Sequence, residues 1–173
     1  MDLPPLDFAS TRISVSGDPK QLWPREVDDF VPWLVAHVDE LGEQLGMRLE
    51  VVGTEVPIGG LRADLVVRDA AGRRVIVEAQ FGPSDHQHLG QIVTYACAGH
   101  ADAVVWVVAG NRWRPLIRPE HAVTLAELNR RFSGECEFHG VEASLESETV
   151  PFGTPLDQLG PVLPRLRRLQ LPA

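Results

Sequence analysis

Apolar and polar residues alternate along most of the segment between residues 48 and 81. Three apolar-rich stretches are separated there by Gly-Gly and by Ala-Ala-Gly, which is the pattern of three antiparallel strands joined by tight turns. The stretches read RLEVVGTEVPIGG, LRADLVVRD and RRVIVEAQF. A continuous apolar run at 103–108 predicts a further strand, buried on both faces near the centre of the sheet.

Apolar spacings of three and four predict a helix between Pro24 and Gly46. Its buried stripe consists of Phe30, Leu34, Val38, Leu41 and Leu45. Pro32 lies inside this pattern, and because proline lacks the amide donor that a helix interior needs, it indicates either a kink or a later helix start. Gly46 is a typical residue at a helix end.

Two further helices are predicted on either side of the apolar run. Ser84 is expected to cap the first, which covers 85–99, with Gln87 as its capping-box partner. The second covers 119–132 and has Pro119 near its start.

The two ends of the chain carry weaker patterns. A short strand is predicted at 12–16, an edge strand at 136–145, and a terminal helix at 156–169 that Pro161 and Pro164 interrupt. The order of elements predicts an α/β fold, in which the antiparallel meander and the buried strand form a mixed central sheet flanked by helices. The 173 residues suit a single domain with a hydrophobic core.

Charge restricts the partners that this chain can bind. It has 16 Lys and Arg against 24 Asp and Glu, a formal net charge of -8. Such a charge repels phosphate backbones at long range, so nucleic-acid binding would need a local basic patch, a divalent metal or a partner. Two arginine clusters could form such a patch, or could be a solvated loop and a solvated helix face. They are Arg112, Arg114 and Arg118, and Arg165, Arg167 and Arg168.

Composition also bears on the compartment. No apolar run approaches the ~20 residues of a membrane span, and the first residues lack the basic and apolar regions of a secretory signal, so we expect a cytoplasmic protein. Cys97 and Cys136 are too few for a disulfide framework or a cysteine-built metal site, and we expect reduced thiols.

Two carboxylates interrupt the apolar strands of the meander. Residues two apart on a strand share a face, so Glu78 and Gln80 point to the same side, and the turn can bring Asp64 beside Glu78. Adjacent carboxylates away from water cannot both ionise without cost, and a shared Mg²⁺ removes that conflict. Gln80 could then orient the attacking water. The pattern is short enough to arise by chance, but its position before a capped helix favours a functional site.

These residues resemble those of the PD-(D/E)XK nuclease superfamily, which has the restriction-endonuclease-like fold. In that superfamily an Asp on one core strand and a Glu-x-Lys on the next bind Mg²⁺ and activate water against a phosphodiester. The resemblance is greater to an uncharacterised bacterial branch and covers about residues 22–142, leaving 1–21 as an N-terminal arm and 143–173 as a C-terminal extension. The similar strings are DFVPWL, LGEQLG, EAQFGPSDHQHLGQIVTYA and AVVWVVA.

The resemblance implies that Asp64, Glu78 and the backbone carbonyl of Ala79 bind Mg²⁺ or Mn²⁺, and that Gln80 replaces the lysine. Glutamine can orient water but carries no positive charge, so the site could be active or impaired. A glutamate on the first helix of many relatives implies Glu43 as a further, tentative ligand. The helical stripe places Glu43 on the far side of that helix, so a solvated side chain is the alternative.

The helix after Gln80 offers further candidates. His88, Gln91 and Tyr95 share one helix face near the carboxylates; His88 and Gln91 are tentative contacts to a substrate phosphate, whereas Tyr95 is expected in the core. Trp113 lies between two arginines and could stack on a base or serve a partner interface.

Together these observations lead us to expect Mg²⁺- or Mn²⁺-dependent phosphodiester hydrolysis of nucleic acid, endonuclease-like, on DNA in preference to RNA. A homodimer would allow both strands to be cut. The alternative is a catalytically weak or inactive module of the same fold that binds nucleic acid or protein. A site for a small phosphate-bearing molecule is a third reading, because the fold alone does not fix the substrate.

Overall fold

The computed structural model describes residues 12–111 and 115–172. Its strands are β1 (Arg12–Ile13), β2 (Ser16–Gly17), β3 (Leu49–Ile58), β4 (Leu61–Asp69), β5 (Arg74–Phe81), β6 (Ala103–Ala109), β7 (Glu137–Glu146), β8 (Val150–Pro151) and β9 (Leu163–Arg168). The main sheet has the order β2-β7-β6-β5-β4-β3, and β9 pairs with β7. Neighbours from β3 to β5 are antiparallel, whereas β5, β6 and β7 run parallel. The predicted mixed sheet, with its meander and its buried strand, is confirmed.

Helices cover both faces of this sheet. A π-helical segment (Glu26–Phe30) leads into α1 (Val31–Ala36) and α2 (Val38–Leu45), and the later helices are α3 (His86–Ala98) and α4 (Pro119–Arg131). Short 3-10 turns lie at Pro19–Gln21 and Leu156–Gln158. One apolar core lies under α1 and α2, and a second lies under α3 and α4. Among the described helices, none is long and apolar enough to span a membrane.

Strand β5 contributes to both cores. Val75, Val77 and Ala79 belong to the core under α1 and α2, while Ile76 belongs to the core under α3 and α4. Since strand residues alternate between faces, Glu78 and Gln80 lie on the α3 side, as the sequence predicts.

The first helix begins later than Pro24 and is broken. Pro32 lies in the first turn of α1, directly after the π-helical segment Glu26–Phe30, so the chain changes its helical hydrogen-bond pattern where the proline supplies no amide donor. The helical path breaks again at His37, whose φ of -116° and ψ of 27° separate α1 from α2. Gly46 ends α2 in the left-handed conformation with a φ of 70°.

Three predictions for the ends of the chain differ from the structure. The strand expected at 136–145 is not an edge strand, because β7 has β6 on one side and β9 on the other. The helix expected at 156–169 is replaced by β9, in which Leu166 is buried between exposed Arg165 and Arg167. That two-residue period, together with prolines that a helix interior excludes, suits a strand. The expected strand at 12–16 is two short strands.

The predicted cap of α3 is also wrong. Asp85 is the N-cap, and its carboxylate accepts the amide of His88. Ser84 is fully buried: its hydroxyl accepts the amide of Arg118 and lies 2.7 Å from His121 Nδ1. Ser84 therefore ties the loop after β5 to the start of α4.

Candidate active site

The candidate site forms where β4 separates from β5. The two strands pair from Arg68 opposite Arg74 to Leu65 opposite Val77, whereas β5 continues beside β6 as far as Phe81. The last amides of β5 on the β4 side thus have no strand to pair with. Unpaired backbone donors in a folded interior need another acceptor.

Two carboxylates accept hydrogen bonds from these amides. Ala79 N donates to Asp64 Oδ2 at 2.7 Å, and Phe81 N donates to Glu26 Oε2 at 2.7 Å. Because the N–H and C=O of one strand residue point to the same side, the Ala79 carbonyl faces the same gap. Asp64 and Glu26 therefore satisfy the backbone of β5 with one oxygen each.

Asp64 does not simply share the face of Glu78. Ala63 and Val66 both belong to the core under α3, while Leu65 belongs to the opposite core, so the alternation of β4 breaks at Asp64. The carboxylate reaches into the gap between the strands instead. Burial is the main cause that raises the pKa of Asp64 to about 6; the charges of Glu26 and Glu55 also raise it, and the hydrogen bond from the Ala79 amide opposes the rise.

Glu78 is the most enclosed acid of the site, with only 3% of its surface exposed. Burial, followed by the charge of Asp64, raises its pKa to about 8. Its side chain is hydrogen-bonded to Tyr95, but the Tyr95 hydroxyl donates its proton to Arg62 O at 2.7 Å. The contact with Tyr95 lowers the pKa of Glu78, but burial and the charge of Asp64 outweigh it.

Two buried oxygens near this point lack a donor. Glu78 Oε2 and Gln91 Oε1 have no hydrogen-bond partner within the described part of the chain. Buried polar atoms are normally satisfied, and an unsatisfied acceptor costs about 1–3 kcal/mol. A proton, a water molecule or a cation would remove that cost.

The donor set suits a hard divalent cation in chemistry and charge. Asp64 and Glu78 supply carboxylate oxygens and the Ala79 carbonyl faces the same gap, which is the type of ligand that Mg²⁺ binds. In residues 12–111 and 115–172, no three His, Cys, Asp or Glu side chains are close enough together to hold a metal. Mg²⁺ commonly uses one or two protein carboxylates and takes water and phosphate for the rest, so the residues fit that mode.

Gln80 is held by three hydrogen bonds. Its Nε2 donates to Pro83 O at 3.0 Å and to Asp85 Oδ2 at 2.8 Å, and its Oε1 accepts from Trp106 Nε1 at 3.0 Å. Both amide hydrogens are used, and the side chain is 3% exposed. The predicted role of Gln80 in orienting water would have to use the second lone pair of Oε1.

Asp85 connects Gln80 to His88. His88 Nδ1 lies 2.9 Å from Asp85 Oδ1 and 3.0 Å from Oδ2. Burial raises the pKa of Asp85, but the hydrogen bonds from the His88 amide and ring outweigh it, and the net pKa lies below the ordinary value. Asp85 is therefore an ionised acceptor between two side chains predicted for the site.

The remaining predicted residues are distributed as follows. His88 and Gln91 lie half-buried on α3, on the face that also carries Tyr95, so these three predicted neighbours are together. Glu43 is exposed on α2 and is not among the charges that act on Asp64 or Glu78. Trp113, with Arg112 and Arg114, lies outside the described residues.

Sequence reasoning missed Glu26. It stands among Asp28 and Asp29 in a run that looks like the acidic first turn of a helix, and nothing in its local spacing distinguishes it. Its hydrogen-bond partner Phe81 is 55 residues away, so only the folded chain brings the two together.

No protein-family model and no curated protein sequence matches this chain. Solved structures similar to part of it include the following two. A repair endonuclease from Pyrococcus abyssi has 15% identity and a TM-score of 0.41, over 61% of this chain and 43% of that chain. SfsA from Pyrococcus furiosus, solved in complex with Ca²⁺, has 14% identity and a TM-score of 0.35, over 66% of this chain and 54% of that chain. The match spans about half the length of each, and at these values neither similarity decides what the chain does.

Proposed function

We propose that this chain hydrolyses phosphodiester bonds in nucleic acid with the help of Mg²⁺ or Mn²⁺, as an endonuclease-like enzyme of the PD-(D/E)XK type. One observation carries the proposal. Glu78 is an almost fully buried carboxylic acid whose Oε2 has no partner among the described residues and whose pKa is raised to about 8. Strongly perturbed acids with a specific charged neighbour are typical of functional sites.

Asp64, Glu78 and the Ala79 carbonyl would hold the cation. When bound, the cation supplies positive charge that stabilises both ionised carboxylates and the charge that develops on a phosphate in the transition state. Asp64 keeps its backbone bond to Ala79 through Oδ2, which leaves Oδ1 for this role. Glu26 holds Phe81 N through Oε2, and its negative charge, which acts on both Asp64 and Glu78, would favour a cation at the site without binding it directly.

Nucleic acid is the substrate class that best fits this chemistry, and we favour DNA over RNA. The net charge of -8 makes long-range attraction to a polyanion weak, so binding would depend on the cation and on local contacts. Action on both strands of a duplex would require a homodimer or repeated events.

The decisive experiment compares cleavage by isosteric variants. Purified protein is incubated with plasmid, single-stranded DNA and RNA in Mg²⁺ or Mn²⁺, alongside Asp64→Asn, Glu78→Gln and Glu43→Gln. Asn and Gln preserve shape and an acceptor oxygen, so loss of rate reports loss of charge. We expect the first two variants to fall by about 10²-fold or more, and Glu43→Gln to cleave as the wild type does.

A second candidate is a binding module without activity. Two observations favour it. Both amide hydrogens of Gln80 are donated to other groups of the protein, and Asp64 and Glu26 each accept a backbone amide of β5. Titration with Mn²⁺ by calorimetry separates the candidates. Binding that Asp64→Asn and Glu78→Gln both abolish supports the enzyme, and the absence of any binding by the wild type supports the module.

A further inference from the structure

We propose that His88, held by Asp85, accepts the proton of the attacking water, a function that Gln80 has no group to perform. This inference rests on the proposed phosphodiesterase activity and assigns a catalytic residue to it. It starts from a contact outside the carboxylate pair. His88 Nδ1 lies at hydrogen-bond distance from both carboxylate oxygens of Asp85, at 2.9 and 3.0 Å.

The contact fixes which ring nitrogen carries the proton. An ionised carboxylate only accepts hydrogen bonds, so Nδ1 of His88 is the protonated nitrogen. In the neutral ring Nε2 then holds a free lone pair. A histidine whose Nδ1–H is directed at a carboxylate is the arrangement that makes Nε2 a general base.

The Asp85 carboxylate is itself held in place. Its Oδ1 accepts the His88 amide at 2.9 Å, which caps α3, and its Oδ2 accepts Gln80 Nε2 at 2.8 Å. Gln80 in turn is fixed through Oε1 by Trp106 Nε1 at 3.0 Å. A buried side chain of the core thus orients Gln80, Gln80 orients Asp85, and Asp85 orients His88.

His88 lies on the side of α3 that faces the candidate site. It shares a helix face with Gln91, which has an unpartnered buried oxygen among the described residues, and with Tyr95, which is hydrogen-bonded to Glu78. It is also near enough to Asp64 that a positive charge on the ring, once it has accepted a proton, would lower the pKa of Asp64. The His88 side chain is 19% exposed, so it can reach water and exchange a proton with solvent.

The step balances without a further reagent. The water oxygen forms a bond to phosphorus as its O–H proton moves to His88 Nε2. The bond from phosphorus to the leaving sugar oxygen breaks, and that oxygen keeps the electron pair and takes a proton from solvent. The histidinium returns its proton to solvent, and Asp85 stabilises its charge in the interval.

The test is cleavage of the substrate found for the wild type, measured with His88→Ala, His88→Gln, Asp85→Asn and the control His86→Ala. His86 is an exposed histidine on the same helix turn. We expect both His88 variants to lose about 10²- to 10⁴-fold in rate and to bind Mn²⁺ as tightly as the wild type. Added imidazole should restore part of the rate to His88→Ala, and His86→Ala should be unaffected. Asp85→Asn should lose about tenfold or more.

Nitrogen-15 NMR of the ring gives a readout that does not need activity. The His88 signals, identified by their loss in His88→Gln, should show the Nδ1–H tautomer in the wild type and lose it in Asp85→Asn. Cleavage by the His88 variants at the wild-type rate, with Asp64→Asn and Glu78→Gln inactive, would overturn this inference alone. A wild type that cleaves no substrate would overturn the proposed function and this inference with it.

Discussion

Replacing Glu78 with Gln should change how the stability of the protein depends on pH. In the folded chain the pKa of Glu78 is raised from its ordinary value of 4.5 to about 8, first by burial and then by the charge of Asp64. One pKa unit corresponds to about 1.4 kcal/mol, so ionising Glu78 in the folded protein costs roughly 5 kcal/mol. Between pH 4.5 and 8 the folded chain keeps a proton that the unfolded chain has lost.

The sign of the effect follows from this difference in protons bound. The stabilising contribution is fully present below pH 4.5 and is lost as pH rises to about 8. From pH 5 to pH 8 the wild type should therefore lose roughly 4 kcal/mol that Glu78→Gln does not lose. All other ionisable groups are common to both proteins, so the difference between the two proteins isolates Glu78.

Urea unfolding at pH 5 and pH 8 measures the free energy of unfolding for wild type, Glu78→Gln and the exposed control Glu43→Gln. The control should follow the wild type. Mn²⁺ at pH 8, at about 100 times its Kd, should add about 2.7 kcal/mol to the wild type and nothing to Glu78→Gln. If wild type and Glu78→Gln lose the same stability between the two pH values, Glu78 is ionised in the folded chain and the reasoning fails.

Two other substitutions test the surroundings of the site. Gln80→Lys should lower the free energy of unfolding by about 1–3 kcal/mol, because lysine has no acceptor for Trp106 Nε1 even though its charge can pair with Asp85; unchanged urea midpoints would contradict this. Glu26→Gln keeps an acceptor for Phe81 N, so thermal unfolding should stay within about 1 kcal/mol of the wild type, while calorimetry should show weaker Mn²⁺ binding. Equal Mn²⁺ affinity would show that the charge of Glu26, which acts on Asp64 and Glu78, does not contribute to cation binding.

Local patterns were sufficient for the meander, for β6 and for the helical nature of α3. The strands of the meander are bounded by turns with the glycines that tight connections require, and β6 is a continuous apolar run typical of a strand buried on both faces. The cap of α3 was not decidable in this way, because Ser84 and Asp85 are both good capping residues. The Ser84 hydroxyl is hydrogen-bonded to His121 and Arg118, which lie 37 and 34 residues away in the chain. Asp85 is therefore the N-cap residue of α3.

Contacts between residues far apart in the chain explain the other differences between the predicted and the observed structure. The segment Leu163–Arg168 becomes β9 because β7 offers a free edge, a fact that no local window contains. For the site, the sequence could place Glu78 and Gln80 on one face, since that requires only strand alternation. It could not show that Gln80 is bound by Trp106, because that contact joins neighbouring parallel strands whose register is set by the whole sheet.

Because β4 separates from β5, Asp64 has a structural role that Glu78 lacks, and the two residues are not equally good signs of activity. Asp64 is needed by the backbone of Ala79, so a chain that had lost all chemistry would still be selected to keep an acceptor there. Among the contacts described, Glu78 accepts no backbone amide. Because burial raises its pKa, Glu78 lowers the free energy of unfolding as the pH rises above 4.5. In other chains with this split between strands, a retained buried glutamate is therefore the better sign of a working site, and a retained aspartate alone indicates only that the strands still part at this point.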